Sequence, residues 1–374
     1  MTETMRENAD IIGRGEINDL EAIMAVSNTD WDEARHDVSS HYDTVFTWDY
    51  EKGSRPKLDK LYEKAKRSQW NAQTDLPWGT AVDQEALVRA NAAANGGFLA
   101  GVDASGTPVA SWGDAEWTQF GVESQNWTLS QFMHGEQGAL VCTAKIVESV
   151  PWIDAKYYGA TQVVDEARHV EVFSKYLDEK LSGHYPINAH LRLLLDDIIA
   201  DSRWDMTYLG MQIMVEGLAL AAFGFMYQMT TEPLLKQLLR YVMSDESRHV
   251  AFGVLSLQEL YGALSSAELR ERQEFAFEAA VRMRDRFLQQ EVWDRMGVDP
   301  KQVAPILLQV PERKVFQTML FSKIVPNCKK LGLLDGADGW LRTKFTELGV
   351  IGFEDFADTG EEYESLQATP QSAG

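Results

Sequence analysis

The chain has 374 residues, with 57 acidic against 35 basic side chains and a formal net charge of −22. That excess repels phosphate backbones and anionic bilayers, which argues against nucleic acid as a partner. The 45% apolar and 25% charged residues are those of a globular protein rather than a disordered or fibrous one. Two cysteines, Cys142 and Cys328, supply neither a disulfide framework nor a thiolate metal cluster and fit a reducing cytoplasm. The polar, acidic first 21 residues do not resemble a signal peptide, and no run of 18 apolar residues predicts a membrane span.

Residues 1–112 read as an N-terminal extension. Its first 56 residues are polar and rich in turn signals, and helices are predicted over 57–68 and 83–95. Residues 100–113, with Gly101, Gly106 and Pro108, read as a connection. From 117 to 261 apolar residues recur at three- and four-residue spacing, so a four-helix unit is predicted over 113–265. Ser149-Val150-Pro151 closes its first helix. Residues 183–186 separate the second from a third over 189–229, and Thr230-Thr231-Glu232-Pro233 caps a fourth. A fifth long helix is predicted over 267–295 and shorter ones between 311 and 348, within a C-terminal unit over 266–354. The acidic tail, 355–374, is expected to fray. Strand signals are nearly absent, so the class is all-α.

Two segments repeat: Asp165-Glu166-Ala167-Arg168-His169 and, 80 residues further on, Asp245-Glu246-Ser247-Arg248-His249. Thirty residues before each repeated Glu stands another, Glu136 before Glu166 and Glu216 before Glu246. Pro151 lies midway in the first pair and Thr231 midway in the second. In an antiparallel helical hairpin, positions equally far from the turn sit side by side. Fifteen residues at about 1.5 Å each place all four acids about 22 Å from the turns. Glu and His at i, i+3 share a helix face. Each hairpin therefore presents two carboxylates and an imidazole at one level.

The stripes that carry these acids are apolar. Glu136 shares its face with Phe132, Met133 and Leu140, Glu166 and His169 with Phe173 and Leu177, Glu216 with Ile213 and Phe223, and Glu246 with Val242 and Val250. Burying four carboxylates without partners is costly. No lysine stands in these stripes, and two divalent cations balance four carboxylates. A third match, Asp32-Glu33-Ala34-Arg35-His36, has polar neighbours and no partner hairpin, and reads as surface.

The six ligand candidates resemble those of the ferritin-like di-iron carboxylate proteins, in which two helices each give a Glu and two others each give Glu-x-x-His. The likeness spans residues 117–261 and implies a ferritin-like four-helix bundle with flanking helices. The Asp-Glu-x-Arg-His form is most similar to the hydroxylase subunits of bacterial multicomponent monooxygenases, alongside the ribonucleotide-reductase-like oxidases and N-oxygenases. The resemblance implies that Glu136, Glu166 and His169 bind one iron and Glu216, Glu246 and His249 the other, with a glutamate from each pair able to bridge. Manganese competes for one position. Asp165 and Asp245 correspond to aspartates that hydrogen-bond the distal nitrogen of a ligand histidine, with Arg168 and Arg248 pairing with them; an ordinary surface ion pair fits either arginine taken singly.

No single subfamily is matched. Phe173 replaces the tyrosine of radical-generating ribonucleotide reductase subunits. Gly138 and Met211 replace the cross-linked pair of the ligand-binding oxidases, and Leu220 and Ala219 stand where the hydroxylases and acyl desaturases carry threonine. Val242 replaces the third histidine of arylamine N-oxygenases. Gly138, Ala139, Phe173, Met211, Ala219 and Leu220 are expected to line an apolar substrate pocket, although small residues beside Glu136 serve close helix packing equally well. The implied function is an oxidoreductase that takes dioxygen as co-substrate and hydroxylates or N-oxygenates a small or medium organic molecule. A ferredoxin or flavin reductase would donate electrons, and a cytoplasmic homodimer is expected. Ferroxidase, desaturase and ribonucleotide-reductase-like oxidase are the alternatives.

Overall fold

A computed structural model of the chain describes residues 8–27, 35–46, 53–94, 103–307 and 311–362. Among them there is no β-strand. A short α1 (Leu20–Ala25), capped by the Asp19 carboxylate, precedes α2 (Pro56–Arg67) and α3 (Gln84–Ala94). The latter two match the predicted helices to within a residue, and Asn95 lies outside the described residues.

The bundle begins with α4 (Asp114–Ser149) and α5 (Ile153–Lys180), which pack along their length as a hairpin. Val150 is extended (φ −67°, ψ 136°) because the ring of Pro151 disfavours helical geometry in the residue before it. The predicted helix over 189–229 is two helices, α6 (Ala189–Ala200) and α7 (Trp204–Met229). The break is local chemistry. The Asp201 carboxylate accepts the Arg203 backbone N–H at 2.8 Å and its guanidinium at 2.7 and 3.0 Å, in place of helical hydrogen bonding.

Within α7, Leu209–Val215 form a π segment, and the N–H of Glu216 reaches back to the Met211 carbonyl. This inserts one residue into a turn and re-phases everything ahead of Glu216. By length and composition α7 could cross a bilayer, yet 72% of its apolar window is buried inside the fold, so it is the core helix. It pairs with α8 (Pro233–Tyr261), whose first turn is capped by Glu232 accepting from the N–H groups of Leu234 and Leu235 at 2.7 and 2.5 Å.

The predicted helix over 267–295 is likewise divided. After α9 (Ser266–Asp285) comes a 3₁₀ turn, Arg286–Leu288, then Gln289 with φ 55°, then α10 (Gln290–Arg295). A left-handed backbone is unfavourable for a residue with a Cβ. Gln289 is held there by α4: the Ser124 hydroxyl donates to its amide oxygen at 2.8 Å, and its amide nitrogen donates to Thr128 at 3.4 Å. Helices α11 (Pro300–Leu307), α12 (Pro311–Met319), α13 (Ile324–Lys330) and α14 (Trp340–Glu347) follow.

Fraying does not begin at Asp355 as expected. Thr359 is buried and exchanges hydrogen bonds of 2.9 and 3.1 Å with Asn327 on α13. Residues 363–374 lie outside the described set. One hydrophobic core runs from Ile11 and Leu58 through the four bundle helices to Leu341 and Val350, so the flanking helices share it.

The π segment is seated against α8 at Gly253, where an added Cβ would lie 2.6 Å from the Gln212 Cβ. Gly253→Ala is expected to cost about 1–3 kcal/mol of stability, read as a lower urea midpoint with an unchanged slope. A wild-type midpoint would contradict this close approach.

Candidate metal centre

The structure brings all six ligand candidates to one buried place. Glu136 is 5% exposed, Glu216 2% and Glu246 1%, while Glu166, His169 and His249 are fully buried. Donor atoms of Glu136, Glu166, His169 and Glu246 lie within 4.8 Å of one another, as do those of Glu166, Glu216 and His249. Glu166 sits between the two imidazoles, 3.4 Å from His169 Nδ1 and 3.1 Å from His249 Nδ1. Glu246 does the same at 3.0 and 3.5 Å. One group thus holds Glu136, His169, Glu166 and Glu246, and the other holds Glu216, His249 and Glu166, with Glu246 3.5 Å from His249.

Whether metal ions fit can be judged from the donors themselves. Glu166 Oε2, Glu216 Oε2, both oxygens of Glu246 and His249 Nδ1 are buried and have no hydrogen-bond partner among the described residues. These atoms face one another across short gaps that either a shared proton or a metal ion would satisfy. An unpaired buried polar atom costs about 1–3 kcal/mol, and five together are relieved by cations between them. Four carboxylates and two imidazoles suit two ions, and the set can hold them.

The protonation pattern has the same origin. Burial, reinforced by Glu246, pushes Glu136 up to about 8. Burial also drives Glu216 well above the carboxylate range. At Glu166 burial acts upward, but His249 and His169 outweigh it and hold the group below that range. Burial opposes a charge on either imidazole. Asp245 and the cluster carboxylates overcome it at His169, and Glu166 and Glu246 overcome it at His249, so both are raised.

The aspartates and arginines of the pentads are buried, which removes the surface reading of Arg168 and Arg248. They form a crossed ring. The Arg168 guanidinium pairs with its own Asp165 and, at 3.2 Å, with Asp245 of the other helix; Arg248 pairs with Asp245 and, at 3.3 Å, with Asp165. The histidines cross too. Asp245 Oδ2 lies 3.2 Å from His169 Nε2, and Asp165 Oδ2 lies 3.4 Å from His249 Nε2. An Nε2–H donated to carboxylate leaves each Nδ1 lone pair facing the glutamates. Each helix therefore orients the other helix's ligand.

Several participants escaped the sequence reading. Gln162, one turn before Glu166, is fully buried and donates to Glu166 at 2.9 Å and Glu216 at 3.0 Å. Its spacing of four from a ligand was the available signal. Gln69 and Trp70, which follow α2, cover the ring: Trp70 Nε1 donates to Asp245 at 2.7 Å, and Gln69 donates to Asp165 at 3.1 Å while accepting from Arg168 at 2.8 Å. No local pattern announced them.

A cavity with about 20 Å³ of free volume adjoins Glu136, Glu216 and Glu246. Of the six expected pocket residues, Ala139 and Ala219 line it. Gly138, Phe173, Met211 and Leu220 do not. Gly138 faces α6, where an added Cβ would meet Leu195 at 2.6 Å, so close packing is its role. Phe173 packs behind the lining rings, with centroids 6.1 Å from Phe132 and 5.7 Å from Phe223. Met211 is buried in the π segment, and Leu220 is buried outside the lining. The lining also includes Arg286, a positive group that sequence stripes could not reveal; it makes no ion pair with the glutamates and cannot alone balance four of them.

His134 contacts Gln137 and the Tyr185 carbonyl, away from the cluster, and Cys142 is buried and belongs to neither donor group. Of the third pentad, residues 32–34 lie outside the described set. Arg35 and His36 are exposed and pair with Asp37 and Asp196.

No protein-family model matches the chain, and no curated protein matches it either. Among solved structures, a variant of an R2-like ligand-binding oxidase with an anaerobically reconstituted Mn/Fe cofactor is similar at TM-score 0.48 and 18% identity, covering 78% of this chain and 98% of that one. A second such variant gives 0.48 and 17%, over 75% and 94%. The same type of oxidase with an aerobically reconstituted metal cofactor after photoconversion gives 0.44 and 17%, over 81% and 93%. Likeness at this level transfers no role to a residue, and the site is read from its own side chains.

Two outcomes are expected. Glu136, His169 and His249 bind protons more tightly folded than unfolded, so their contribution is complete at low pH and is lost as pH rises through the folded values. The metal-free protein should therefore melt progressively lower from about pH 4.5 to above pH 8, and bound metal, which needs the deprotonated ligands, should remove that fall; a flat metal-free profile contradicts the cluster's electrostatics. Gln162→Leu should weaken metal binding by about 10–100-fold without loss of helicity, measured by chelator competition.

Proposed function

We propose that this chain is a non-haem di-iron oxidoreductase that uses dioxygen to hydroxylate or N-oxygenate a small or medium organic molecule. The observation that carries the reading is the convergence of four buried glutamates and two histidine Nδ1 atoms, five of whose donor atoms have no hydrogen-bond partner among the described residues. Oxygen-rich ligation with one imidazole per ion suits ferrous iron, with manganese able to take one position. Glu136 and His169 would hold one ion and Glu216 and His249 the other, with Glu166 and Glu246 shared. The ions supply the redox chemistry toward dioxygen.

The chain's own contributions are positional. Asp165 and Asp245 fix the imidazole tautomers, and Gln162 steadies the Glu166 and Glu216 carboxylates. Phe132, Phe223, Val215, Ala139 and Ala219 keep the adjoining cavity apolar. Gly135 leaves it open, since a Cβ there would meet nothing within 4 Å. About 20 Å³ admits one molecule the size of water or dioxygen. Oxygen insertion needs two electrons per turnover, which we assign to a ferredoxin or flavin reductase. The net charge of −22 suits a basic docking face on that donor. We place the enzyme in the cytoplasm as a homodimer.

A tyrosyl-radical role at the Phe173 position is disfavoured by its place among Phe132 and Phe223, without a hydroxyl.

Anaerobic loading with ferrous iron should give two metal ions per chain, and admitted air with a reductant should give sustained oxygen uptake that rises with a substrate. Ala219→Trp should stop the uptake with both metals retained. Many irons accumulating per chain, or unchanged uptake in the variant, would overturn the assignment.

A further inference from the structure

Arg286 is the charged member of the cavity lining that metal ligation does not use. It opens the 3₁₀ turn after α9 and is 3% exposed. It lines the cavity with Glu136, Glu216, Glu246 and Met283. Its Nε, like those of Arg14, Arg168 and Arg248, is buried with no hydrogen-bond partner among the described residues. Its aromatic contact is with its own neighbour, the guanidinium carbon lying 4.8 Å from the Phe287 ring. Burial alone pulls it down to about 9, with no acid offsetting the effect. Other buried arginines are paired: Arg168 and Arg248 in the crossed ring, Arg272 with Asp205 at 3.0 Å, and Arg14 with Asp285 at 3.4 Å.

Charge accounting sharpens the contrast. The ring of Asp165, Arg168, Asp245 and Arg248 is neutral by itself. Two divalent ions neutralise the four glutamates. One positive charge, Arg286, then remains facing the cavity. A desolvated guanidinium presents paired N–H donors in a planar fork that matches a carboxylate. Gln289, held left-handed by Ser124 and Thr128, fixes the turn that aims it.

We propose that Arg286 is the recognition group for the substrate's anionic end, so that the molecule oxidised here is an organic carboxylic acid whose carboxylate rests on this guanidinium beside the metal ligands. This rests on the oxidoreductase reading above. Met283, unbranched and conformationally adaptable, borders the same cavity and can yield to a ligand larger than the free volume.

The test uses the metal-loaded full-length protein and a panel of probes: formate, acetate, propionate, benzoate and octanoate, each against its neutral amide, with binding followed by calorimetry. At least one carboxylate should bind tenfold or more tightly than its amide. Arg286→Met should reduce that preference below threefold. Arg286→Lys, which keeps the charge but not the paired donors, should fall between, and it decides the matter if the methionine variant does not fold. No carboxylate preference in the wild type, or a wild-type preference in the folded variants, overturns the proposal. Metal content and oxygen uptake, measured on the same samples, judge the underlying reading separately: two metals per chain with sustained uptake but no carboxylate preference defeats the Arg286 assignment alone.

Discussion

Electroneutrality in a dry core organises this protein. Two groups of buried charge meet at mid-height of the bundle, and they solve the problem differently. The outer group, Asp165, Arg168, Asp245 and Arg248, closes on itself as a crossed ring and needs nothing further. The inner group, Glu136, Glu166, Glu216 and Glu246, has unsatisfied oxygens and closes only with protons or metal ions. The self-sufficient ring lets the chain build a needy cluster. It fixes both histidines through Nε2 before any ion arrives, which is the second half of a metal site.

The crossing explains why the pentad occurs twice. Along one helix, Arg at i+3 pairs with Asp at i, so each segment is locally consistent. The Asp serves the histidine of the other helix, however, and a single pentad would leave an imidazole unanchored. The N-terminal extension completes the arrangement: Gln69 and Trp70 cap the ring with amide and indole donors, and Arg168 lies 4.7 Å from the centre of the Trp70 ring. The flanking segments are therefore part of the site's support as well as of its core.

Much of this was legible in the sequence because helical periodicity and equal distance from a turn are geometric facts. The repeat at 80 residues, Pro151 and the Glu232-Pro233 cap placed six donors at one level without coordinates. What failed was phase and local competition. Residues 205–218 are all buried, so apolar periodicity could not reveal the extra residue of the π segment. Breaks at Asp201 and Gln289 come from side chains bonding backbone or a distant helix, which periodicity does not register. The pocket suffered from the same cause. Gly138 and Ala139 are neighbours in sequence but point about 100° apart, and only the position of α6 decides that the first packs on Leu195 while the second faces the cavity. Contacts such as Trp70 to Asp245 carry no local signature at all.

These placements give the centre two unlike sides. On one, both histidines, the ring and Trp70 form a closed hydrogen-bonded layer; on the other, the glutamates Glu136, Glu216 and Glu246 border the cavity with Ala139, Ala219 and Arg286. The cavity lining contains neither histidine nor Glu166. The cavity therefore borders the cluster on its glutamate side, and Glu136, which burial pushes up to about 8, stands at that boundary. Changes on the closed side act through tautomer and ligand orientation. Changes on the open side act through what the cavity can hold, and there Arg286 stands beside the glutamates.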